Sequence, residues 1–442
     1  MKKVVITTVP FVDDDAPLAA PAVLKAVLSA EGIECVGLDL NIDIYNKIQN
    51  DPRREKFLDF FYNQKIQDDI VDDLLYMLDY YSTEILSYNP NIIVLSLFCY
   101  QCQTFTAWLC AVLRQTAPHV KIVIGGPGLE TLENNFFKYP DRLKNLGLID
   151  DYITGDGEKS LVQYVLGNKS FPGINSTSWI PNVDFENSPI PDYSNYRFFK
   201  YGNVLLPIVD SRGCVQDCEF CDVVAFWKRF QYKSAESIFS NMMYYVENYG
   251  ILRFQFASSI CNGNLKEFKK LVELIANYNS IKIEADQLHW IGSFIIRPKN
   301  YHNELLWEKI KQSNGFLLTG VESVTERVRV ALGKKFSNED LDYHLAMAKK
   351  YDVKMNLLVI ASYHTETADD HDKAKKWFID RKEYAKIINH VQLTTISVLP
   401  GTKLESTVDY DQFVKTMDYR LQKAKELNEV IIQCGFQTKI LF

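Results

Sequence analysis

Val204-Leu-Leu-Pro-Ile-Val-Asp-Ser-Arg-Gly-Cys214-Val-Gln-Asp-Cys218-Glu-Phe-Cys221 runs from an apolar stretch through a turn into three cysteines spaced C-x3-C-x2-C. Three thiols on one tight loop form a metal-ligand set. Thiolates are the usual protein ligands of iron-sulfur clusters, and zinc accepts them as well. A four-iron cubane normally takes four thiolates, so a loop with three leaves one iron open to a non-protein ligand. The nearest other cysteines, Cys261 and Cys110, stand in no second ligand-like spacing with the three. A structural zinc site would usually show a second C-x2-C or histidine pair. The spacing therefore favours an iron-sulfur cluster with one open position over zinc.

Downstream of that loop the sequence alternates between strand-like and helix-like stretches. Six strand candidates lie at 204–210, 252–257, 288–296, 316–321, 354–361 and 391–398, with helical stretches near 235–248, 265–277, 303–312, 338–350 and 369–388. Six β-α units are too few for a closed eight-unit barrel. The cysteine loop follows the first strand, at the carboxyl end where barrel chemistry sits. The remainder, 403–442, reads as a C-terminal helical segment dominated by an amphipathic helix over about 409–433.

Upstream, strand-like runs at 4–8, 35–40, 92–98, 121–124 and 152–154 alternate with helical stretches at 19–31, 65–87, 105–116 and from about Lys159. This order predicts a doubly wound, Rossmann-like α/β domain over residues 1–170, with ligands at the carboxyl ends of parallel strands. Residues 171–200 hold Pro172, Gly173, Pro181, Pro189 and Pro191 without sustained periodicity, and read as a linker. Residues 201–402 then form the partial barrel. Cys99-Tyr-Gln-Cys102 follows the 92–98 run; lacking a thioredoxin-like context or a second metal pair, it reads as two ordinary, semi-buried cysteines.

Composition narrows the function classes. In 442 residues, 49 Lys and Arg stand against 56 Asp and Glu, a net charge of -7, so no basic field draws in bulk nucleic acid. No apolar stretch approaches the ~20 residues that span a bilayer, and the opening apolar run is too short for a signal peptide. Nine cysteines, an odd number, fit a reducing interior better than a disulfide framework. The expected location is cytoplasmic.

Cys214, Cys218 and Cys221, with Phe220 before the last cysteine, resemble the C-x3-C-x-aromatic-C signature of the radical S-adenosylmethionine (SAM) superfamily. The resemblance implies a 4Fe-4S cluster whose open iron chelates SAM, reductive cleavage of SAM to a 5'-deoxyadenosyl radical, and an electron donor such as a flavodoxin or ferredoxin. Gly320-Val-Glu322-Ser323 resembles the family's G-x-E-S segment, which places Glu322 at the barrel mouth facing an amine or ribose; a surface glutamate opening a helix is the alternative. Ser258 and Ser259 stand where many relatives have a glycine-rich SAM-binding segment. Arg297, ending the third strand, suits a SAM carboxylate or a salt bridge at the rim. Lys228, Arg229 and Lys233 are equally open to a solvated role. Leu399-Pro400-Gly401-Thr402 is similar to the family's P-G-T turn. Thr365-Glu366-Thr367 resembles the end of its G-x-P-G-E-T segment, but Ser362, His364 and Thr365 replace the glycines and the proline.

Pro17-Leu18 through Gly32, Gly37-Leu38-Asp39, Gly125-Gly126-Pro127 and Gly155-Asp156-Gly157-Glu158 resemble the N-terminal cobalamin-binding (B12-binding) domain of one radical SAM class, and Pro189-Ile-Pro-Asp-Tyr193 the segment preceding its barrel. By that resemblance the loops at Pro10, Ser96, Gly125, Gly126 and Gly155 cradle a corrinoid; a scaffold that has lost its corrinoid is the alternative. His119, the only histidine in residues 1–200, lacks an Asp-x-His-x-x-Gly context, which excludes cobalt ligation through that motif. The expected function is cobalamin-dependent methyl transfer to an unactivated carbon of a small-molecule or peptide substrate. Rearrangement, cyclisation or oxidation is the alternative within the family, and a non-catalytic iron-sulfur or zinc module the alternative outside it.

Overall fold

The computed structural model describes residues 2–10, 16–129, 138–176, 181, 184–227, 229–301, 303–399 and 401–441. Lys228 and Pro400 lie outside the described residues. The chain divides into two compact units, residues 1–207 and 208–442.

In the first unit, β1 (Lys3–Thr8), α1 (Ala19–Ala30), β2 (Glu34–Leu38), α2 (Asn41–Gln49), α3 (Arg54–Asn63), α4 (Val71–Leu86), β3 (Ile92–Ser96), α5 (Gln103–Thr116), β4 (Lys121–Gly125), α6 (Lys138–Asn145), β5 (Asp151–Ile153) and α7 (Gly157–Leu166) follow in order. The strands form one parallel sheet in the order β2-β1-β3-β4-β5. Side chains alternate between its two faces. Val5, Ile93 and Leu95 enter one apolar cluster with residues of α3, α4 and α5, while Val4, Ile6, Ile92 and Val94 enter another with α1 and α7. Each fully buried aliphatic side chain contributes about 1.5–3 kcal/mol, which is why continuous apolar runs rather than alternating ones encode these strands. The helices α2 and α3 were not anticipated from sequence. α3 gives Phe57, Phe60 and Phe61 to the core.

Asp39, just past β2, accepts hydrogen bonds from Thr8 Oγ1 (2.8 Å), the Leu18 amide (2.9 Å) and the Tyr201 hydroxyl (2.9 Å). One buried carboxyl thus ties together the end of β1, the start of α1 and a segment more than 160 residues later. Burial pushes its pKa up, and these donors offset part of the rise. The stretch read as a linker is fastened to this unit. Tyr193 is fully buried, Tyr196 donates to the Leu18 carbonyl (2.6 Å) and Asp192 pairs with Lys25 (2.9 Å).

The second sheet begins with β6 (Leu206–Ile208). It continues through β7 (Ser211–Arg212), α8 (Val223–Trp227), β8 (Gln231–Tyr232), α9 (Ala235–Tyr249), β9 (Arg253–Phe256), α10 (Leu265–Ser280), β10 (His289–Phe294), α11 (Glu304–Gln312), β11 (Gly315–Glu322), α12 (Glu326–Ala331), α13 (Asn338–Tyr351), β12 (Met355–Ile360), α14 (Ala368–Asp380) and β13 (Ile388–Thr394). It ends in α15 (Lys403–Thr407), α16 (Tyr410–Lys415), α17 (Met417–Gln433) and β14 (Thr438–Leu441). The order is β14-β13-β12-β11-β10-β9-β6, with β9 to β14 paired in parallel. All six expected strands are present. The C-terminal segment differs from a purely helical reading, because β14 adds a seventh strand beside β13. Gly435, at positive φ, follows α17, and Phe436 enters the core before Thr438 pairs with Val391.

Candidate functional site

The cysteine loop hangs from a small ribbon. β7 and β8 pair antiparallel, Ser211 with Tyr232 and Arg212 with Gln231, so residues 213–230 form an excursion at the carboxyl end of β6. Gly213 has φ +78, and a methyl group there would lie 2.5 Å from the Arg229 carbonyl oxygen. Only glycine lets the two backbones meet here. Within the excursion the Cys221 amide donates to Cys218 O (3.3 Å) and the Gln216 amide to Cys214 Sγ (3.3 Å). Glu219 fastens it to the end of α12 and to α15, its amide donating to Leu332 O (3.1 Å) and its carbonyl accepting from Leu404 N (2.9 Å).

Cys218 is buried, and Cys214 and Cys221 are half-buried. Burial pushes the Cys221 thiol up to about 12 and raises Cys218 too, against the opposing field of Lys334. Thiols so placed become thiolates when a metal cation replaces the proton. Among the described residues no three His, Cys, Asp or Glu side chains converge on a single-ion position. Two buried polar atoms beside the cysteines, Gln216 Oε1 and Arg297 Nε, lack a partner among the described residues.

The other expected SAM residues gather at the carboxyl ends of the following strands. Ser258, past β9, donates to Asp210 Oδ2 (2.8 Å), and Ser259 is exposed. Arg297, past β10, donates to the carbonyls of Asn262 (2.9 Å) and Gly263 (2.7 Å), and Cys214 acts on it electrostatically. It is thus bound to backbone beside the cysteine loop, with no acceptor at its Nε among the described residues. Glu322 ends β11 at a bulge with φ +59 and pairs with Lys334 (2.9 Å). Ser362 has φ +62, so the backbone takes the left-handed turn of the glycine it replaces. The 365–367 segment opens α14 through a capping box of Thr367 and Asp370. Thr402 caps α15 and donates to Leu399 O (2.6 Å).

Sequence reading missed two groups here. Asp210 is fully buried, its Oδ1 and the nearby Tyr232 hydroxyl have no partner among the described residues, and burial pushes it up to about 7, partly offset by Ser258. Its signal was an acid ending an apolar strand. Lys334 carried no signal, because it meets Glu322 only across the bulge and the α12 turn.

In the first unit, strand register gathers the expected corrinoid residues. Thr8 pairs with Ser96, Ser96 with Gly125 and Gly125 with Ile153, giving one row across the carboxyl edge; Pro10 and Gly155 each lie two residues past it. A methyl group on Gly126, at φ +103, would overlap the Leu97 carbonyl oxygen, while Leu97 N–H donates to Gly125 O (2.8 Å). The glycines here thus let the β3 and β4 backbones approach closely at the carboxyl edge. Cys99 and Cys102 stand on the same edge with sulfurs 3.7 Å apart; the adjoining Cys102 thiol, then burial, keep Cys99 protonated. His119 precedes β4 and so lies at the opposite, amino edge.

Residues 208–378 match the sequence model of the radical SAM superfamily. The chain is 27% identical over 298 residues to the hopanoid C-3 methylase of Methylococcus capsulatus, covering 62% of this chain and 53% of that protein. It is 22% identical over 277 residues to a Methanocaldococcus jannaschii protein provisionally named a methylthiotransferase, covering 60% of each. The match thus spans only part of the length of both curated relatives. Among solved structures it shares the fold of the radical SAM methyltransferase TsrM from Kitasatospora setae, solved with cobalamin and a 4Fe-4S cluster bound. The TM-score is 0.65 at 14% identity, over 93% of this chain and 78% of that one. It also shares the fold of the cobalamin-dependent radical SAM enzyme OxsB, with a TM-score of 0.65 at 12% identity, over 96% of this chain and 56% of that one.

Proposed function

We propose, from the premise that residues 208–378 are a radical SAM domain, that this chain is a cobalamin-dependent radical SAM enzyme that methylates an unactivated carbon. The observation that carries the reading is the cysteine loop itself. It presents three buried or half-buried thiols at the carboxyl end of the first sheet strand, braced by the 332 and 404 backbones. Cys214, Cys218 and Cys221 hold the cluster. Arg297 meets the SAM carboxylate through its free Nε, Glu322 accepts from the SAM amine or ribose, and Ser258 and Ser259 line the same rim. Pro10, Ser96, Gly125, Gly126 and Gly155 hold the corrinoid at the carboxyl edge of the first sheet. When bound, the cluster supplies the electron that cleaves SAM and the corrinoid carries the methyl group; the chain binds, orients and excludes water and oxygen.

TsrM and the hopanoid methylase support methyl transfer by what they are named for, and OxsB supports cobalamin dependence alone. All nine cysteines are free thiols, in keeping with work in the reducing cytoplasm beside a flavodoxin- or ferredoxin-type donor. No helix is long and apolar enough to cross a membrane among the described residues.

The test is anaerobic purification, cluster reconstitution and incubation with hydroxocobalamin, followed by iron and corrinoid analysis of the desalted protein and product analysis with SAM and dithionite. The expected result is a cluster, about one corrinoid per chain, and 5'-deoxyadenosine formed from SAM. A cluster with deoxyadenosine but no corrinoid moves the function to radical rearrangement, cyclisation or oxidation. Neither cluster nor deoxyadenosine ends the radical reading.

A further inference from the structure

Lys334 and Glu322 form a largely buried ion pair, their side chains 9% and 13% exposed and their charged atoms 2.9 Å apart. Taking two charges out of water costs several kcal/mol per ion, and apolar replacements of such pairs are often neutral or stabilising. Fold stability is therefore a weak reason for this pair. Its surroundings suggest a better one.

Residues 332–334 run along the backbone of the cysteine loop. Glu219 N–H donates to Leu332 O (3.1 Å). A methyl group added at Gly333 would lie 3.2 Å from Asp217 O and 3.3 Å from Cys218 Cα. The next side chain is the Lys334 ammonium. Its field acts on both Cys218 and Cys214, and at Cys218 it outweighs the opposing field of Glu322. The pair is thus oriented with its positive end toward the thiols. The orientation is fixed from the other side as well, because Glu322 sits on a bulge at φ +59 rather than in a straight strand.

The geometry points to Lys334 as a charge that raises the reduction potential of the cluster held by Cys214, Cys218 and Cys221, with Glu322 as the counter-charge that limits the rise. This inference rests on the proposed function for the presence of the cluster and goes beyond it in assigning a residue that sets its potential. Reduction passes one electron from the reductant to the cluster; no bond forms or breaks and no proton moves. A cluster with three thiolate ligands is already anionic, and the added electron makes it more so. At low effective dielectric, a cation held beside two of its ligands stabilises the reduced form more than the oxidised form.

The two partners have opposite signs, and that separates an electrostatic role from a structural one. Reconstituted wild type, Lys334→Met, Lys334→Arg and Glu322→Gln are analysed for iron, then titrated anaerobically with dithionite in the absence of SAM, following visible bleaching and the paramagnetic signal of the reduced cluster. The expected result is a more negative midpoint for Lys334→Met, a more positive one for Glu322→Gln and a near wild-type value for Lys334→Arg, at equal iron content. Midpoints that stay together, or shifts of both partners in one direction, overturn the assignment. Should Lys334→Met lose iron, the sign of the Glu322→Gln shift decides, a positive shift supporting the assignment and any other result overturning it. A wild-type chain that takes up no iron overturns the cluster reading itself, and this inference with it; an intact cluster with unmoved potentials overturns the inference alone.

Discussion

Asp210 shows how much chemistry one buried side chain can carry. It lies two residues past β6 and four before Cys214, with one carboxyl oxygen bonded to Ser258 and the other without a partner among the described residues. Burial favours its neutral form and lifts it to about 7, above the unfolded value of about 3.9. A raised carboxyl contributes stability that is complete below the unfolded value and is lost as pH climbs through the folded one. Between pH 5 and pH 8 the cluster-free wild type should therefore lose stability through this group. Asp210→Asn, which stays neutral throughout, should show a flatter profile, so that its stability relative to wild type improves as pH rises. Denaturant midpoints of both proteins at several pH values check this; parallel profiles would mean that Asp210 is ionised in the folded chain. The cysteine triad was legible as a candidate ligand set because the three lie within eight residues in a ligand-like spacing. Asp210 and Lys334 were not. Asp210 meets Ser258 only when two strands align, and Lys334 meets Glu322 only after a bulge turns the carboxylate aside. Sequence spacing encodes neither event.

At the scale of elements, the legible parts were those whose burial is one-sided or complete. β1 and β3 declared themselves as unbroken apolar runs, and the six β-α alternations of the second unit as a change of period. α2 and α3 were hidden because their apolar residues serve a core shared with α4 and α5, leaving short segments of low net hydrophobicity. β14 was hidden behind the long amphipathic α17, since four residues after a glycine are too few to show alternation. The β7–β8 ribbon was hidden for a different reason: two-residue strands have no periodicity at all, and glycine geometry holds this one to the cysteine loop. That geometry makes a sharp prediction. Gly213→Ala places a methyl group against the Arg229 carbonyl and asks an L-residue to hold φ +78. Backbone strain of this kind costs about 1–3 kcal/mol, and the clash adds to it. The variant should unfold at lower denaturant than wild type and retain less iron after reconstitution, whereas Gly202→Ala, where nothing lies within 4 Å, should match wild type in both. Equal iron in the two variants would show that the ribbon does not hold the loop in shape.

Across the whole molecule, both units solve the same problem in the same way. A parallel sheet covered by helices leaves its backbone groups unpaired only at strand ends, and the carboxyl ends, where loops turn into helices, are where ligands find amides and short side chains. In the first unit the strand order reverses between β1 and β3, the switch point at which ligands of such sheets bind. In the second unit the cysteine excursion, the 258–263 segment, Arg297 and Glu322 follow successive strands at that same edge. If both edges are cofactor sites, cofactors should slow hydrogen exchange there and nowhere else. Hydroxocobalamin should protect peptides covering residues 9–10, 97–99 and 126–129 while leaving 117–121, at the amino edge of the same sheet, unchanged. SAM added to the reconstituted protein should protect 258–263 and the peptide holding Arg297, without effect on α17. Exchange measured by mass spectrometry on the full chain, with and without each ligand, reads both edges in one experiment. Protection centred on 117–121 would place the corrinoid at the wrong end of the sheet and remove Pro10, Ser96, Gly125, Gly126 and Gly155 from its site. Protection at 97–99 and 126–129 together would require a ligand lying across the ends of β3 and β4, where Ser96 and Gly125 pair at the carboxyl edge.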